Sequence, residues 1–163
     1  MNRIIKPKEA IRVSKKLRDR KKSIVLVGGC FDILHTGHVK FLKSAKHLGD
    51  VLFILLESDK NVKKLKGKNR PINPQTERAL VLKALRFVDY VILLQSMKTD
   101  KEYDKLINQL KPDIIATTKD DPLIKHKKRQ TDIIGGKLKL VISRVKNKST
   151  SKLARLIEKE KIL

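Results

Sequence analysis

Tryptophan is absent from this sequence, only two tyrosines and four phenylalanines occur, and cysteine appears once, at Cys30. A single cysteine has no partner for an internal disulfide, which points to a reducing, cytoplasmic setting. With so few aromatics, the core has to be built from Ile, Leu and Val, and no aromatic-interleaved platform for nucleic acid is available. No window approaches the roughly 18 apolar residues of a membrane span. The opening "MNRIIKPKEAIRVSKKL" is too charged for a secretory leader. Acidic residues are scarce as well: 17 Asp and Glu stand against 40 Lys and Arg, giving +23. Such a surface attracts polyanions, whether RNA, DNA, acidic membranes or phosphorylated small molecules. The lysines are spread along the chain, and the one dense run, "KHKKRQ" (125–130), reads as a solvated face. Charge alone therefore leaves a nucleic-acid partner open but not favoured.

What is present is a regular alternation. The length of 163 residues suits a single domain, 1–163, with residues 1–22 as a helical extension at its front. Five short runs rich in Ile, Val and Leu read as strands buried on both faces: 23–29, 51–57, 90–94, 113–118 and 137–143. Between and around them lie segments of helical period: about 8–20, 38–48, 74–86, 101–110 and 151–161. Asn73 can cap the third of these with Pro74 at its first position, and Asp100 can cap the fourth. Strands alternating with helices predict an α/β fold, a Rossmann-like, doubly wound, mostly parallel five-stranded sheet with helices on both faces. In such sheets a ligand sits beyond the C-terminal ends of the strands, near the switch point.

The end of the first solid run carries "GGCFDILHTGHVKFL" (28–42). Three chemistries compete for it. As a phosphate seat, the glycines allow close backbone approach, and the following helix start offers free N–H groups and a positive dipole end. Two imidazoles, His35 and His38, can then donate to oxygens whose charge rises in a transition state. As a metal site, Cys30, Asp32, His35 and His38 are all suitable ligand types, but their spacing matches no common zinc arrangement. In the third reading the histidines simply pack or cap. The stretch is neither G-x-G-x-x-G nor G-x-x-x-x-G-K-[ST], so dinucleotide binding and P-loop hydrolysis both lack support.

"GGCFDILHTGHVKFLKSAKHLGD" strongly resembles the cytidylyltransferase-like nucleotidyltransferases, whose signature is an HxGH after the first strand of a Rossmann-like sheet. The resemblance continues through "SDKNVKKLKGKNRPINPQTERALVLKALRFVDYVI" (58–92) and closes with "RVKNKSTSKL" (144–153), so it covers almost the whole chain. Within the family the pattern is most similar to the heptose-1-phosphate adenylyltransferase domain, with glycerol-3-phosphate cytidylyltransferases and archaeal FAD synthetases as near neighbours.

The resemblance implies attack of a phosphate oxygen on the α-phosphorus of a nucleoside triphosphate, with pyrophosphate leaving and no covalent protein intermediate. It implies that His35 and His38 contact the reacting phosphates and that Lys63, on a loop "NVKKLKG" (61–67), acts with them in catalysis. Gly29, Cys30 and Phe31 would line the nucleotide site, with Lys66, Arg78, Asp120, Arg144, Ser149, Thr150 and Ser151 as further nucleotide contacts. Arg78 could instead hold structure, Phe31 could be core, and Asp32 would support the loop by hydrogen bonding. Mg2+ is expected with the triphosphate, bound mostly through phosphate oxygens, and a homodimer is expected from the family's habit.

One stretch departs from the heptose-type pattern. Where that pattern carries Lys-Gly-Gly-Asp, this chain has "TTKDD" (117–121). Lost glycines alter backbone freedom near the nucleobase or acceptor. The expected reaction is AMP transfer from ATP to a sugar 1-phosphate. The alternatives are a CTP-dependent enzyme acting on glycerol 3-phosphate or a similar alcohol phosphate, and a basic nucleic-acid-binding protein on the same fold.

Overall fold

A computed structural model describes residues 3–142. The elements, in chain order, are β1 (Ile4–Ile5), α1 (Pro7–Asp19), β2 (Ile24–Gly29), α2 (Thr36–Lys46), β3 (Val51–Leu56), α3 (Asp59–Lys66), α4 (Gln75–Ala84), β4 (Tyr90–Leu93), α5 (Asp100–Leu110), β5 (Ile114–Thr118), α6 (Ile124–Ile134) and β6 (Lys137–Ile142). The expected helix at 151–161 lies outside the described residues, as do Arg144 and Ser149–Ser151.

The strands form one sheet in the order β1-β4-β3-β2-β5-β6, and every pairing is parallel. The sheet has six strands rather than the five expected. The extra one, β1, is two residues long and pairs Ile4 with Val91 and Ile5 with Ile92 at the edge. Two residues give no periodicity to read, so only tertiary pairing reveals it.

Apolar runs on the central strands are buried on both faces, as parallel strands covered by crossover helices must be. Side chains of β2 alternate between two cores. Val25 and Val27 join Leu42 and Ala45 of α2 and Ala79 and Leu82 of α4 on one side. Ile24 and Leu26 join Ala10 of α1 and Leu106, Ile107 and Leu110 of α5 on the other. Among the described residues, no helix is long and apolar enough to cross a membrane.

Helix boundaries follow local chemistry. α1 begins with Pro7 in its first turn, where a missing N–H costs nothing. Pro74, not Asn73, is the N-cap of α4; Asn73 instead donates its side-chain amide to Asp32 O at 2.9 Å. Thr99, not Asp100, caps α5 through a capping box with Glu102. The "NVKKLKG" stretch (61–67), expected as a loop, lies instead in helix α3, which Ser58 caps and Gly67 ends. The "KHKKRQ" run lies within α6 and is largely exposed, as a solvated face should be, with some of its charges paired. Arg129 pairs with Asp104 at 2.9 Å, His126 lies 3.2 Å from Asp100, and Lys127 turns back onto Asp121.

From β2 the chain winds outward through β3 and β4, and from β5 it winds the other way to β6. The switch point is therefore the crevice outside the C-terminal ends of β2 and β5, where a ligand belongs. The Gly28–Gly29 end of β2 and the start of α2 form one wall of it.

Candidate active site

Beyond Gly29 the chain must turn sharply to start α2 over the strand end. Phe31 makes that turn with φ of 45°, a left-handed conformation that costs a bulky residue about 1–2 kcal/mol. Burial of its ring in the core beside Leu42 and Leu56 offsets the cost. The ring fills the space that Gly29 leaves: a Cβ on Gly29 would come within 2.9 Å of it. Gly29 is thus required by packing beneath the loop, whatever approaches from above. Phe31 is core, as its alternative reading allowed.

Asp32 fixes the other side of the turn. Its carboxylate is 3% exposed and accepts from Arg70 Nε at 2.5 Å and from the backbone N–H groups of Ile72 and Asn73 at 2.9 and 3.0 Å. With its oxygens committed to these donors, it holds the "RPIN" loop against the site, in the supporting part expected for it. Arg78 is a strut rather than an open cation. Its guanidinium is buried and donates to the carbonyls of Asn73, Cys30 and Glu57 and to the Asp59 carboxylate. It therefore ties the ends of β2 and β3 to the start of α3.

The two histidines meet at the start of α2. His35 is the N-cap, and its Nδ1 accepts from the Gly37 N–H at 3.1 Å. Accepting at Nδ1 leaves the proton of the neutral ring on Nε2, so that atom is a donor. His38 stacks on His35 with centroids 4.0 Å apart, and lies 5.3 Å from the Phe31 ring. Burial, with the adjacent imidazole second, lowers the His38 pKa to about 4, so the ring is neutral near pH 7. Its Nδ1 is buried without a hydrogen-bond partner. An unsatisfied buried polar atom costs about 1–3 kcal/mol.

Cys30 stands at the strand end beside this pair. Burial raises its thiol pKa, and the Lys66 charge opposes that rise. A thiol held protonated is a poor nucleophile at neutral pH. Lys66 is near enough to act on that thiol, and both it and Lys63, on the last turn of α3, are exposed. Asp120 lies in the exposed turn after β5. Below that turn, buried Thr117 and Lys127 both hold the carboxylate of Asp121, and Lys127 Nζ donates to the Thr117 hydroxyl at 2.9 Å. This clamp takes the place of the glycines missing from "TTKDD". Sequence reading also missed the polar group of Glu57, Asn61, Ser96 and Tyr103 beyond β3 and β4. The position of Glu57 after a solid strand run was a signal; the other three, scattered over α3, α5 and a loop, gave none.

The cytidylyltransferase-like family model matches residues 26–162. The chain belongs to the cytidylyltransferase-like family. It carries that family's nucleotidyltransferase fold, with the paired histidines at the start of the helix that follows its second strand. It is 53% identical over 104 residues to the bifunctional protein HldE of Nitratiruptor sp., a match covering 64% of this chain and 22% of that protein. It is 49% identical over 112 residues to the HldE protein of Campylobacter jejuni subsp. doylei, covering 69% of this chain and 23% of that one. The matched region thus spans less than a quarter of these relatives. The crystal structure of a lipopolysaccharide core biosynthesis protein from Thermoplasma volcanium superposes with a TM-score of 0.61 at 27% identity, covering 78% of this chain and 99% of that one. A pantoate-beta-alanine ligase from Francisella tularensis shares the fold at a TM-score of 0.69 and 16% identity, covering 94% of this chain and 73% of that one.

Proposed function

We propose that the protein transfers AMP from ATP to a sugar 1-phosphate, releasing pyrophosphate. The observation that carries this reading is the stacked His35–His38 pair at the start of α2, with His38 neutral, beside the switch point. The acceptor phosphate oxygen attacks the α-phosphorus, the new P–O bond forms, and the bond to the pyrophosphate oxygen breaks. His35 donates from Nε2 to a phosphate oxygen, and His38 takes up charge as the triphosphate arrives. The N-terminal end of α2 adds its dipole. Lys63 and Lys66 neutralise phosphate oxygens from α3. Phe31 and Arg78 act from beneath by holding the Cys30 backbone in place, and Asp120 borders the nucleotide from the β5 side. Arg144 and the hydroxyls of Ser149, Thr150 and Ser151 are assigned to the triphosphate by family resemblance alone.

Support for a sugar acceptor comes from the HldE likeness and from the likeness to the Thermoplasma lipopolysaccharide core biosynthesis protein. A divalent ion, assigned as Mg2+, neutralises the triphosphate. Among the described residues no group of three or more His, Cys, Asp or Glu gathers to hold one, so phosphate oxygens would be its main ligands. The Thr117–Asp121–Lys127 clamp favours one alternative. By replacing flexible glycines with a braced turn, it reshapes the side where a base would lie, and CTP with an alcohol phosphate is the second reading. A cytoplasmic location fits a lone thiol and a nucleotide substrate. The exposed Leu80 and Val81 of α4 are offered as the face of the expected homodimer, which light scattering would detect.

Pyrophosphate release over a grid of nucleotides and phosphorylated acceptors tests the proposal. ATP with a sugar 1-phosphate should give the highest kcat/KM. A clear preference for CTP with glycerol 3-phosphate would replace it with the second reading. No turnover with any pair, together with tight salt-sensitive RNA binding, would move the protein to the binding class.

A further inference from the structure

The polar side chains beyond β3 and β4 have no part in the reaction just described. Glu57 directly follows β3, and its N–H donates to Gly29 O at 3.1 Å, which sets it next to Cys30. Tyr103 of α5 donates its hydroxyl to the Glu57 carboxylate, 3.0 Å from both oxygens. Asn61 of α3, 6% exposed, divides its amide hydrogens between Glu57 Oε2 at 3.1 Å and Tyr103 Oη at 2.9 Å. Its own carbonyl accepts from the Ser96 hydroxyl at 3.2 Å. Burial and the Glu57 charge push the Tyr103 pKa well above its ordinary value, so the phenol remains a donor.

A carboxylate offers about four acceptor directions. Tyr103 and Asn61 supply two hydrogens, so about two directions on half-buried Glu57 remain for other donors. Charges of both signs act on the Cys30 thiol, Lys66 positive and Glu57 negative. A phosphorylated acceptor lying across Cys30 would turn its phosphate toward Lys66 and its hydroxyls toward Glu57.

We propose that Glu57, held in place by Tyr103, Asn61 and Ser96, reads the hydroxyls of the acceptor and selects a polyhydroxylated sugar phosphate over a simpler alcohol phosphate. This rests on the nucleotidyl-transfer reading and names the acceptor wall of the same site. A wall built to accept hydroxyl hydrogens discriminates strongly against ligands that lack them, because its own groups are then left unpaired.

The test is steady-state kinetics of wild type, Glu57→Gln and Tyr103→Phe with ATP, a hexose 1-phosphate and glycerol 3-phosphate. Glu57→Gln should raise the sugar-phosphate KM about tenfold while the ATP KM and kcat stay within about threefold, the signature of lost acceptor binding. Tyr103→Phe should shift the same KM in the same direction by less. An unchanged sugar-phosphate KM in both variants, or equal losses on both substrates, overturns the assignment, the latter because a purely structural role spares neither. Wild type that turns over glycerol 3-phosphate better than the sugar phosphate overturns this inference and leaves nucleotidyl transfer standing. Wild type with no turnover on either acceptor overturns both.

Discussion

His38 is poised between two charge states. Stacked on His35 and against Phe31, it is neutral when the site is empty, and a triphosphate alongside would favour the imidazolium. Saturating ATP should raise its pKa from about 4 by a unit or more, read from imidazole shifts in an NMR titration; an unmoved titration would remove His38 from the phosphate site. The same shift has a sign for stability. The folded pKa lies below the unfolded value of 6.5, so the unfolded chain binds the proton first as pH falls. Stability is fully present above pH 6.5 and declines toward pH 4, by up to about 3 kcal/mol from this residue. Denaturant unfolding across that window should show the decline, and a His38→Gln variant should lack that part of it. The HxGH spacing made this pair legible in the sequence. The orphaned Nδ1 was not, because it depends on what α2 and Phe31 leave around the ring.

At the scale of elements, the loops over the site are held by buried charge rather than by glycine. Arg70 and Asp32 pair with almost no exposure, and the same carboxylate carries the backbone of Ile72 and Asn73. Removing one partner of such a pair strands the other, at a typical cost of 3–5 kcal/mol. Asp32→Ala should therefore lower unfolding free energy by about that amount in denaturant titrations; a loss under about 1 kcal/mol would show the anchor to be weak. The clamp after β5 is local by comparison. Thr117→Val removes a hydroxyl that both Asp121 and Lys127 use, and should change the ratio of kcat/KM for ATP over CTP while leaving the acceptor KM in place. The strands were legible because two-faced burial writes itself as solid apolar runs. Edge strand β1 was too short to read, and α3 looked like a loop because its exposed lysines mask the buried Asn61 and Val62. Arg78 drew attention as a phosphate ligand, since a sequence shows its charge but not the three carbonyls around it.

Over the whole molecule the charge is distributed rather than focused: some of the 40 Lys and Arg pair with the 17 acidic residues, as at Asp32, Asp59, Asp89 and Asp121, and the net excess is +23. That excess raises the local concentration of any polyanion, including a triphosphate, and salt screens that effect over about 10 Å at 0.1 M. The KM for ATP should therefore rise several-fold between 50 mM and 500 mM salt while kcat moves little; a kcat that collapses instead would place the charge in the chemistry. Topology accounts for the location of the site, since the winding reverses between β2 and β5, and the paired histidines close that crevice from α2. The central claim is that this crevice performs nucleotidyl transfer through the histidine pair. The most direct measurement is single-turnover pyrophosphate release from ATP and a sugar 1-phosphate, wild type against His38→Ala, with folding of both checked by circular dichroism. Wild type should release one pyrophosphate per nucleotide-sugar formed, and the variant should be slower by about 100-fold or more while remaining folded. A folded His38→Ala protein turning over at near the wild-type rate would contradict it.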